Sequence, residues 1–166
     1  MAKPYKNATP ICIGLSILAA LGIILALIAK SPILIVLFLI PTIAYEVYRT
    51  EGESTKLASW GMLVVFLIEA VLILFNVSFN LATFFGEDQK SVAGYLVPLG
   101  DIKVVGPTLM VILAIVLFIR TRGVYTRWLA VIIFISAFAL IYTIAPGVFS
   151  ELLKFGLNEA LDNVNF

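Results

Sequence analysis

Five long apolar runs, at about residues 9–29, 32–48, 57–80, 104–119 and 128–148, constrain this chain more than any motif it contains. A helix crosses a hydrocarbon core roughly 30 Å thick with about 20 mostly apolar residues, and with about 17 at the short limit. Inside that core no water satisfies exposed backbone groups, so helices are the natural spanning element for runs of this length. The expected fold is therefore an all-α integral membrane protein, a bundle of five transmembrane helices. The run at 104–119 is the shortest, and without it the count falls to four. Composition agrees, with 62% hydrophobic and 13% charged residues, where a soluble domain carries about a quarter charged.

Residues 1–148 read as one transmembrane helical domain and residues 149–166 as a tail of different character. In the tail Phe149, Leu152, Leu153, Leu157 and Leu161 recur at helical spacing among Glu151, Lys154, Asn158, Glu159 and Asp162, the pattern of an amphipathic surface helix. Lipid-surface helices are usually basic on the polar face. This one is mainly acidic, which favours docking on protein. Only Lys30 and Ser31 separate the first two runs, so a tight helical hairpin is expected there, with Pro32 in a first turn where its missing N–H costs nothing. Lys3 and Lys6 before the first run suggest a secretory signal, but the run exceeds a usual signal core and reads as a retained anchor.

Basic residues at the helix ends set the orientation. Five spans place Lys3, Lys6, Arg49, Lys56, Arg120, Arg122 and Arg127 on one side, and Lys30, Lys90, Lys103 and Lys154 on the other. The bias favours a cytoplasmic N-terminus and an external C-terminus in the cell membrane. Trp60, Tyr45, Tyr48, Tyr125 and Trp128 fall near predicted helix ends, where amphipathic rings suit the headgroup layer. The connection at 81–103 mixes charges with apolar pieces and is expected to lie on the membrane surface.

Several chemistries drop out early. Histidine is absent and Cys12 is the lone cysteine, which removes His-ligated metals, Cys-ligated clusters and internal disulfides from this chain. A net charge of +1 without a Lys/Arg-rich run gives no footprint for nucleic acid. Neither a nucleophile–base pair nor a phosphate-cradling glycine loop is present, so independent enzyme activity is not expected. No cofactor is expected beyond a bound lipid.

Glu69 is the exception to this plainness, a carboxylate inside LVVFLIEAVLILFNVSFN. It lies nine residues beyond Trp60, roughly 13 Å deeper along a helix, which predicts a place near the middle of the bilayer. A central acid is unfavourable by about 2.5–3.5 kcal/mol, so it should face protein or water. At 100° per residue Asn76 and Asn80 fall on the same face as Glu69, a polar stripe running to the outer end of a helix that extends to residue 80. Such a stripe serves either as hydrogen-bonding glue to a neighbouring helix or as a half-channel for protons or cations. Thr42 after Pro41, Ser136 and Thr143 are the candidate counterparts at membrane depth. Glu46, Arg49, Glu51, Glu53 and Lys56 read as an ordinary solvated turn, where ion pairs contribute little.

The first run offers a second feature. Ala19, Gly22, Ala26 and Ala29 share one side, and Gly22-x-x-x-Ala26 permits close backbone approach, either to the second helix or to another subunit. Taken together, these readings favour a small accessory subunit of a larger integral-membrane complex, whose partners are other membrane subunits and the bilayer. The alternative is a homo-oligomeric channel or ion/proton-coupled transporter using Glu69 with Asn76 and Asn80. A lipid- or quinone-binding module is a third.

Overall fold

The computed structural model describes residues 7–77, 79, 89–92, 95–98 and 102–147. Its five helices are α1 (Ala8–Ala29), α2 (Pro32–Arg49), α3 (Glu53–Leu74), α4 (Val105–Arg120) and α5 (Val124–Ile144). A 3-10 turn, Ile102–Val104, runs directly into α4 and extends its apolar span to 19 residues. All five spans are long and apolar enough to cross a membrane. The connection between α3 and α4 carries a short antiparallel hairpin, β1 (Gln89–Val92) with β2 (Tyr95–Pro98), which pairs Gln89 with Pro98. The amphipathic tail expected at 149–166 lies outside the described residues, as does Asn80.

Boundaries move where local backbone chemistry overrides hydropathy. The third apolar run continues to residue 80, yet α3 stops at Leu74 because Asn76 takes a left-handed conformation, φ 50°. The Val77 amide then donates to the Leu72 carbonyl at 2.9 Å and the Asn76 amide to the Ile73 carbonyl at 3.2 Å. These two bonds form a Schellman motif, with asparagine where glycine is commonest. Helix α5 starts four residues before the apolar run, directly after Gly123, and stops at Ile144, since Pro146 disfavours helical backbone at the residue before it. The α1–α2 hairpin is as tight as expected. Lys30, φ 51°, caps α1, and the Ser31 amide donates to the Ala26 carbonyl at 3.1 Å.

Every helix buries a seam spaced alternately by three and four. In α1 it is Cys12, Leu15, Ala19, Gly22 and Ala26; in α2, Ile35, Leu39, Thr42 and Glu46; in α3, Thr55, Ser59, Met62, Phe66 and Glu69. Helices α4 and α5 repeat the pattern through Pro107, Met110, Ala114 and Leu117, and through Leu129, Ile133, Ser136 and Leu140. A period of 3.5 keeps antiparallel neighbours in register along left-handed crossings, the commonest packing in membrane bundles.

The helices form a ring in chain order, with α5 closing on α1 and a further contact joining α2 to α5 across the middle. The main core lies among α2, α3, α4 and α5, and a smaller one, built on Cys12, Leu15, Leu129 and Ile132, seats α1 against α5. Two polar bonds tie that second seam: Thr9 with the Tyr125 hydroxyl at 2.8 Å, and Trp128 Nε1 to Ser16 Oγ at 2.9 Å. Trp128 thus has a specific partner besides any anchoring role.

Candidate functional site

Because the helices alternate in direction, one end of the bundle gathers the starts of α1, α3 and α5 with the ends of α2 and α4. We call this the proximal end and its opposite the distal end. The two fully buried carboxylates among the described residues, Glu46 and Glu69, lie toward different ends of α3.

Glu46 corrects the expectation of a solvated turn. It continues the buried seam of α2 and is wholly shielded, three residues before that helix ends. Its Oε1 accepts from Thr50 Oγ1 at 2.6 Å and its Oε2 from Ser59 Oγ of α3 at 2.6 Å. The first bond is local, one turn along the chain. The second crosses between helices and fixes α3 against α2. Neighbouring Arg49 turns instead toward α5, over the Tyr125 ring at 4.9 Å, and donates to the Tyr45 hydroxyl at 3.4 Å.

Glu69 occupies the other end of the same α3 seam. It is fully enclosed and packs against Gly106, at the first turn of α4. A methyl group on Gly106 would overlap the carboxyl, lying 3.0 Å from Glu69 Cδ and 3.1 Å from its Cβ. The absence of a side chain at Gly106 therefore makes the room for Glu69. The first turn is also the positive end of the α4 dipole, where a carboxylate gains about 0.3–1 kcal/mol. Within the apolar span Thr55–Leu74, Glu69 stands five residues from the distal end. That puts it about 7 Å from the span's midpoint rather than at the centre, because α3 already begins seven residues before Trp60.

The predicted polar stripe does not form as drawn. Its geometry needs one continuous helix to residue 80, and α3 ends at Leu74. Asn76 is exposed beyond the helix end, where its Oδ1 accepts from Lys103 Nζ at 2.8 Å. Lys103 is buried and sits one turn before Gly106. This side-chain bridge spans the distal opening between α3 and α4.

Of the other candidate counterparts, Thr143 folds back on its own helix, donating to the Ala139 and Leu140 carbonyls at 3.0 and 2.9 Å. Thr42 and Ser136 are buried, and their hydroxyls make no hydrogen bond among the described residues. The small-residue stripe is mostly internal. Ala19, Gly22 and Ala26 are buried while Ala29 is exposed, and a methyl on Gly22 would come within 2.5 Å of Phe38 Cβ in α2.

Sequence reasoning missed Glu46, Ser59, Thr50, Gly106 and Lys103. Glu46 had a readable signal, its place four residues after Thr42 and seven after Leu39 on one seam. Gly106 had only the Gly-Pro dipeptide at a helix start.

The fold and these seams define a multi-pass helical membrane protein. Compared with family models, curated proteins and solved structures, the chain matches none of them.

Proposed function

We propose that the chain is a small bracing subunit of a larger integral-membrane complex. One observation carries this reading. The two buried carboxylates are each enclosed in a different interhelical seam, Glu46 between α2 and α3 and Glu69 between α3 and α4, with Met62 and Phe66 buried between them on α3. Polar groups so placed set the spacing of helices, whereas a permeation path needs a polar connection between them. The outward residues of α1 and α3, among them Ile17, Ile28, Leu67 and Leu74, are exposed and apolar. Such faces suit lateral contact with partner helices as well as lipid. By the distribution of Lys and Arg, the proximal end faces the cytoplasm. The acidic tail and the 81–103 connection would then meet partners outside.

Gentle-detergent purification followed by mass measurement of the intact assembly tests this. Stable unrelated subunits are expected; a homo-oligomer, or the chain alone, would overturn the proposal. The rival reading, a channel or ion-coupled transporter, rests on Glu69 with Asn76 and Asn80, and it has lost the helical stripe that joined the first two. Glu69→Gln separates the readings, since bracing leaves any ion flux of reconstituted protein unchanged whereas conduction through Glu69 loses it.

A further inference from the structure

The turn between α4 and α5 forms one wall of a cleft at the proximal end, about 290 Å³ in volume, with Arg49 and Glu51 opposite. Four features of this cleft suit an anion. Arg49 and Arg122 both line it. Tyr125 and Thr126, in the first turn of the 21-residue helix α5, line it too. That turn contains no acidic residue, and among the described residues no side chain caps it, so the positive end of the helix dipole is left to a ligand. Arg127 Nε donates to the Thr121 carbonyl at 2.8 Å and holds the turn in place.

The fourth feature is Thr121. It is 6% exposed and lines the cleft, yet its Oγ1 makes no hydrogen bond among the described residues. Buried hydroxyls are seldom left so, because each forfeits its bond to water. A tetrahedral oxyanion supplies the acceptor that this hydroxyl lacks. Among the described residues Glu51 is the one acid in the lining, and its charge opposes that of the two arginines.

From these features we infer that the cleft binds a phosphate group, and that its source is the headgroup of an anionic phospholipid. The cleft opens at the end of the apolar spans, where headgroups lie. Deeper along the same two helices, α4 and α5 leave a groove of about 600 Å³ whose described lining is apolar and includes Phe118, Ala130 and Phe134. Arg127 lies 5.8 Å over the Phe118 ring, at the level where an acyl chain would meet its headgroup.

The experiment uses the full chain in nanodiscs of phosphatidylglycerol and phosphatidylcholine in equal amounts, released gently for native mass spectrometry. Wild type is expected to retain phosphatidylglycerol selectively. Arg122→Gln lowers that retention about fivefold; Thr121→Val, which keeps the volume and removes the hydroxyl, lowers it as well; Glu51→Gln raises it. Arg122 and Glu51 are exposed, so these two variants keep the fold even where Thr121→Val does not. Arg120→Gln, a neighbouring cation outside the lining, is the control and leaves retention near wild type.

A second arm titrates inorganic phosphate against protein in phosphatidylcholine alone. Binding there that also depends on Arg122 keeps the site but reassigns its source to a soluble phosphate, overturning the lipid assignment. The site itself is overturned if neither ligand binds, or if Arg120→Gln costs as much as Arg122→Gln.

Discussion

At the level of single residues, the two buried carboxylates are held by different means and should fail differently. Glu46 accepts two hydroxyl bonds, so Glu46→Ala strands both donors and is expected to lower stability by about 2–3 kcal/mol, whereas Glu46→Gln keeps an acceptor and loses about 1 kcal/mol. The midpoint of unfolding in a denaturing-detergent titration reads the difference, and equal losses in the two variants would contradict the bonding described. Glu69 depends on space. Gly106→Ala should cost about 1–3 kcal/mol by overlap with its carboxyl, and combining it with Glu69→Ala should recover most of that loss. Additive losses in this cycle would mean that the glycine serves something else. Glu69 stood out in the sequence because it was an acid inside hydrocarbon. Glu46 did not, since Arg49 and Glu51 beside it imitate a solvated helix end, and only its place on the α2 seam distinguishes it.

Among the elements, α1 and α3 show what hydropathy reads and what it misses. The five spans were legible because each is a near-continuous apolar run, and the seam of α1 was legible because glycine and alanine recur on it. Gly22→Ala should push Phe38 away and loosen α1 from α2 by about 1–3 kcal/mol, with Phe38→Ala in the same chain partly compensating. Thermal unfolding of the single and double variants checks this, and a neutral single variant would place the stripe at some other contact. The end of α3 was illegible because apolar residues continue past it while a single left-handed asparagine ends the helix. Asn76→Gly should preserve the turn. Asn76→Val should lose about 1–2 kcal/mol from the backbone alone, together with the bond from Lys103, which the same unfolding assay measures.

For the whole molecule, the ring of helices and the charge at its two ends lead to a topology that labelling can read. Cys12 is fully buried, so the native chain gives little background for a membrane-impermeant maleimide. In intact cells Lys30→Cys is expected to label and Arg122→Cys to label only after permeabilisation; the reverse would invert the proposed orientation. Helix α5 contacts α1, α2 and α4 and is the most enclosed of the five spans. It is also the last of them to leave the ribosome. The earlier helices therefore enter the bilayer without the surface that α1, α2 and α4 pack against. A ribosome stalled before Val124 is expected to leave a membrane intermediate that lacks the α5 surface of these contacts.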